Sequence, residues 1–84
     1  MASKKIQAYV VKWVDSCSLR GWQYVGADHS VSTITTIGWL VKSEKDYVTM
    51  TTSITDRGSV MDGLTIPRVA IKSMQRLPQF IVEA

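Results

Sequence analysis

The chain has 84 residues, 45% of them apolar, and a formal net charge of +3. That length bounds it to one domain, and the apolar share is that of a packed chain rather than a disordered one. The charge falls short of the dense Lys/Arg stripe of a dedicated nucleic-acid binder, so anionic partners are permitted and not demanded. No run approaches the ~20 apolar residues of a membrane span. Ala8 to Val11 lies between lysines and does not resemble a signal-peptide core, so no signal peptide is expected. A single Cys17 cannot form an intramolecular disulfide, so a reducing, cytoplasmic setting is expected.

Residues 1–5 read as a flexible polar tail, and residues 6–84 as one β domain. Ile6 to Asp15 is rich in β-formers. Ile6, Ala8, Val10 and Val14 fall on one parity, and Tyr9, Val11 and Trp13 on the other. Two apolar faces predict a strand buried on both sides, or with one face covered by a partner. Residues 16–29 break the pattern with Gly21 and Gly26; so long a connection in so small a domain is either functional or anchored by its own side chains, here Leu19 and Trp22.

Ser30 to Lys42 predicts a second long strand, with Gly38 marking a bulge or bend. Ser43 to Asp46 is a polar hairpin turn. Tyr47 to Ile54 follows as the third strand, with Val48, Met50, Thr52 and Ile54 alternating against Thr49, Thr51 and Ser53. That hydroxyl run, with Thr33 and Thr35, suits a β-forming exterior. Thr55 to Ser59 is a turn, and Val60 to Ile66 resumes β character around a kink at Asp62-Gly63. Pro67 ends this strand, because it lacks an N–H and holds φ near −65°, and it opens a single-turn 3-10 corner. Ile71 to Leu77 is the last strand and Pro78 its stop, leaving Phe80-Ile81-Val82 as a tail that can add to a neighbouring edge. The sum is an all-β fold: a five-stranded, strongly bent small β-barrel with a short 3-10 turn before the last strand. Edges left open in a domain this small favour a homo-oligomer.

The chemistry-bearing residues are few. Cys17 and His29, with Asp28, have the composition of a nucleophile and its base, yet no elbow or oxyanion donor accompanies them, so no catalytic residue is assigned. One Cys and one His fall short of a metal-ligand set, and neither metal nor cofactor is expected. The aspartates sit at turns and strand ends, where they satisfy backbone donors. Arg20 and Trp22 flank Gly21, a spacing that can clamp a base between a guanidinium and a ring, or that can leave Trp22 plugging a barrel end. Arg57 and Arg68 occupy the next two connections after the hairpin, which can line one rim of a small barrel. A guanidinium fork there suits a phosphate or an inter-subunit carboxylate.

The bent second strand around Gly38, the Leu40-Val41 to Tyr47-Val48 hairpin and the segment I-P-R-V-A-I-K-S-M (66–74) resemble the Sm/Hfq type of small barrel. That resemblance implies a basic residue in the last corner, Arg68 here, facing RNA. The pattern of Val11, Trp13, Asp15, Ser16, Gly21 and Trp22, followed by T-I-G-W-L-V (36–41) and I-P-R (66–68), is similar to a group of short bacteriophage proteins. By analogy, such proteins bind host factors or host nucleotide signals. The expectation is therefore a non-enzymatic, phage-encoded binding module acting in the host cytoplasm. It would capture a nucleotide-type signal or short nucleic acid through Arg20, Trp22, His29, Arg57 and Arg68, or else bind and inhibit a host protein.

Overall fold

The computed structural model describes residues 4–15, 22, 25–26 and 31–84. Among these residues, seven strands and one 3-10 turn follow in order: β1 (Lys5–Asp15), β2 (Ser32–Ser43), β3 (Tyr47–Thr51), β4 (Ser53–Ile54), β5 (Val60–Met61), β6 (Leu64–Pro67), the turn η1 (Arg68–Ala70) and β7 (Ile71–Glu83). Five of the strands form an antiparallel sheet in the order β6-β3-β2-β1-β7, while β4 and β5 make a separate hairpin.

The sheet turns on β2. Its first part, Ser32 to Trp39, pairs with β1, and its last part, Trp39 to Ser43, pairs with β3. Trp39 alone is matched on both sides, to Ala8 and to Thr51. Gly38, just before this exchange, is buried, and a Cβ there would lie 2.5 Å from the Thr51 carbonyl oxygen. Glycine is thus required for close backbone approach. The irregularity expected at Gly38 falls later, between Leu40 and Lys42, where the β2–β3 register shifts around Val41.

The core consists of Val11, Val48, Met50 and Ile66, flanked by Tyr9, Trp13, Leu40, Ile71 and Met74. Val11 lies on β1 and Ile66 on β6, three strand spacings apart in the order, or roughly 14 Å in a flat sheet. Their shared cluster requires the sheet to curl. The curl stops short of closure: among the described residues β6 and β7 do not pair, so each is an edge. The expected all-β, five-stranded architecture with its 3-10 corner is present, but the expected closed barrel is not: the sheet curls and stays open between β6 and β7.

Four further expectations change. The strand foreseen over 47–54 splits at Thr52 into β3 and β4, and Thr51 turns inward instead of facing solvent. Its buried hydroxyl donates to the Met61 carbonyl and accepts from the Ser53 N–H, which ties the β4–β5 hairpin to β3. Pro78 does not stop β7. Ala8 pairs with Leu77 and Gln7 with Ile81, so residues 78–80 bulge out and the ladder resumes. An edge strand tolerates a proline because one side of its backbone needs no ladder partner. The Gln7 amide donates to the Leu77 carbonyl at this interruption. The apolar tail thus pairs with its own β1, and backbone bonds between Lys4 and Ala84 (2.8 and 2.9 Å) close the ribbon.

Gly38→Ala should destabilise the fold by about 1–3 kcal/mol, because the obstructing atom is backbone and cannot rotate away. Gly63→Ala, whose new methyl would meet the Met50 carbonyl oxygen at an ordinary 3.6 Å, serves as the control. Urea denaturation midpoints of the two variants check the contrast.

Candidate functional site

Arg68 stands on η1, directly after Pro67, whose φ of −62° sets the corner. Its Nε donates to the Glu44 carbonyl at 2.6 Å and its Nη2 to the Ser43 hydroxyl at 2.6 Å. Its backbone N–H donates to the Asp46 carbonyl at 2.9 Å. One residue therefore fastens the β6–β7 corner to the β2–β3 turn. The fork expected to meet a phosphate spends two of its donors inside the molecule, and only Nη1 and one Nη2 hydrogen remain.

Arg57 lies on the β4–β5 turn. Thr55 shapes that turn: its hydroxyl accepts from the Arg57 and Ser59 N–H groups at 3.3 and 3.0 Å, and its carbonyl accepts from Gly58 at 3.0 Å. Gly58 has φ +86°, and a Cβ placed on it would lie 3.9 Å from the Ala84 methyl. Arg57 is thus near the C-terminal end of β7, whereas Arg68 adjoins the start of that strand. Thirteen residues of strand separate them, at most about 40 Å. The two arginines do not line one rim.

The remaining site residues belong to the β1–β2 connection, which leaves β1 at Asp15, two residues past the Trp13–Ile71 pair. Trp22 is fully exposed. Arg20 and His29 lie outside the described residues, as do Cys17 and Asp28 of the nucleophile reading. Among the described residues, no group of three or more His, Cys, Asp or Glu side chains could hold a metal ion. Of the five residues expected to share one site, Arg57 and Arg68 are at opposite ends of the last strand.

What the fold does assemble is apolar. Tyr9, Val11 and Trp13 point from β1 into the core, so Ala8, Val10 and Lys12 face the other way. Register places Trp39 and Leu77 beside Ala8, and Ile37 and Gln75 beside Val10. The bulge at Pro78 adds Phe80. Ala8, Ile37, Gly38, Trp39, Leu77 and Phe80 line a hollow of about 220 Å³ on this outer face. Ile37 and Phe80 remain 60% and 52% exposed, far above a packed core position. The buried Trp39 Nε1 has no hydrogen-bond partner among the described residues, whereas Trp13 Nε1 donates to Thr36 at 3.0 Å. The double apolarity of β1 is the one sequence signal for this face. A strand stopped at Pro78 would leave Phe80 off it.

No protein-family model matches the chain, and no curated protein or solved structure matches it.

Arg68→Ala should cost about 1 kcal/mol, the net worth of exposed hydrogen bonds to neutral acceptors. Arg68→Lys should recover little of it, because a single ammonium does not reproduce the Nε/Nη2 fork. Hydrogen exchange at the Ile71 amide, which donates to the Arg68 carbonyl, reads the loosened corner directly.

Proposed function

We propose that the chain is a small non-enzymatic binding module whose target is another polypeptide. The observation that carries this reading is the outer face of β1, β2 and β7, where Ile37 and Phe80 stay exposed around an apolar hollow. A scattered surface hydrophobe needs no explanation, but a contiguous patch beside an unpaired strand edge fits an interaction surface. The arginines expected to recognise a small anion are distributed differently, one committed to the corner and one at the far end of β7.

The strand order β6-β3-β2-β1-β7, with a 3-10 turn joining the two edge strands, is consistent with the Sm-like small-barrel class. Inhibition of a host protein by a phage-encoded module is the biological form of this proposal. Capture of a nucleotide-type anion is the second reading, and full exposure of Trp22 is the observation favouring it, since a free indole is a stacking platform.

Phe80→Glu places a charge on the hollow at an already exposed position, so stability should change by no more than ~0.5 kcal/mol. Bacterial lysate treated with nuclease and passed over immobilised protein should leave a stoichiometric polypeptide on the original chain and none on the variant. Equal retention by both, or calorimetric binding of nucleotides or short RNA in place of any protein, would overturn the reading.

A further inference from the structure

The geometry points to a specific partner chemistry: an extended acidic segment of another protein, with acidic and apolar residues alternating, added as a strand along the free edge of β7. This inference rests on the polypeptide-binding reading and names what that polypeptide presents.

The edge comes first. β7 pairs only with β1, so among the described residues its other side has no partner. From Ile71 to Leu77 the strand runs without proline, its β1 register regular from Ser73 to Leu77 and shifted at Lys72, and an extended peptide can copy it. Unpaired N–H and C=O groups along such an edge form a template for backbone hydrogen bonding.

Charge selects the peptide. Ile71 to Leu77 carries Lys72 and Arg76 and no acid, and Lys12 stands next to it on β1, opposite Ser73. None of these three cations has an ion-pair partner among the described residues, whereas Lys42 pairs with Glu44 at 4.0 Å. The acids in the described residues are all at turns and strand ends: Asp15, Glu44, Asp46, Asp56, Asp62 and Glu83. An incoming strand therefore meets Lys72 and Arg76 on the strand it pairs with, and carboxylates directly opposite Lys or Arg stabilise strand pairing.

Alternation follows from register. Arg76 is paired with Tyr9 and Met74 with Val11, on the core-facing side, while Ser73, Gln75 and Leu77 share the outer face with Lys12, Val10 and Ala8. A residue set opposite Arg76 shares its face and is best an acid. Its neighbour, set opposite Leu77, lies on the outer face beside Phe80 and the hollow, where an apolar side chain fits.

Neither protection against aggregation nor self-pairing accounts for this edge as well. Lysines on an edge strand can simply discourage aggregation, yet that purpose is poorly served by leaving Phe80 and Ile81 exposed on the same strand. A second copy would pair β7 with itself or with β6. A two-fold β7–β7 pairing centred on Met74 sets Lys72 opposite Arg76 twice, and like charges directly opposite are destabilising. The edge of β6 offers four residues ending in Pro67 and no charge at all.

The test uses the full chain and fluorescent peptides of strictly alternating valine and glutamate, valine and lysine, or valine and threonine, followed by anisotropy. The glutamate peptide should bind most tightly and should lose binding when its backbone is N-methylated. Alternate amides from Ile71 to Leu77 should gain protection from hydrogen exchange. Arg76→Glu should weaken the glutamate peptide by about fivefold or more and strengthen the lysine peptide. Equal binding of all three peptides overturns the acidic partner and leaves the polypeptide-binding reading standing. Binding of short RNA with no peptide bound overturns both. Protection of the β7 amides by self-association in the absence of peptide also overturns the proposal.

Discussion

The closeness of Gly38 to the Thr51 carbonyl is the constraint on which the architecture depends. β2, twelve residues long, pairs with β1 over its first part and with β3 over its last, and the two pairings overlap at Trp39, directly after Gly38. At that point β3 comes so near that a single methyl would sit 2.5 Å from a peptide oxygen. Thr51, on the other side of this contact, is itself buried and holds the β4–β5 hairpin through its hydroxyl. The close β2–β3 approach and the anchoring of the hairpin thus meet at Thr51.

The second organising contact shows how a residue suited to binding can be used for structure. Arg68 is exposed, cationic and just past a proline corner, all reasonable signs of a ligand group. Its side chain instead bridges 24 and 25 residues of sequence to Glu44 and Ser43. Exposed hydrogen bonds of this kind each contribute around 1 kcal/mol or less, so the corner gains orientation more than stability. That orientation matters, because η1 sets the angle at which β7 departs and therefore how far its free edge stands from β6.

Local signals are legible in the sequence, and non-local ones are not. Pro67 acts through its own φ and missing N–H, so its corner is foreseen to the residue. The alternation of Val48 and Met50 marks their burial, and the parity of Tyr9, Val11 and Trp13 marks the core side of β1. Pro78 has the same chemistry as Pro67 and a different outcome. Whether a proline ends a strand depends on whether that strand is an edge, which is a property of the sheet. Thr51 escapes its alternation for a similar reason, since the break at Thr52 and the hairpin beyond it decide which way its hydroxyl points. Arg57 and Arg68 look like neighbours because they occupy successive connections, but the length of β7 lies between them.

The two apolar faces of β1 connect the fold to its use. One face supplies Val11 to a core whose fully enclosed cluster, among the described residues, is Val11, Val48, Met50 and Ile66. The other carries Ala8, itself buried, and the half-buried Val10 beneath a hollow whose rim residues Ile37 and Phe80 stay exposed, Phe80 brought there by a three-residue bulge. Burying a phenylalanine side chain is worth roughly 1.5–3 kcal/mol, a large fraction of what so small a core can supply. A sequence shaped for stability alone would turn Phe80 inward or replace it with a polar residue. Its retention beside a strand edge that carries no acid from Ile71 to Leu77 gives β7 both an apolar and a cationic character. Backbone pairing, charge and apolar contact then converge on one side of the molecule, where a strand from outside can satisfy all three.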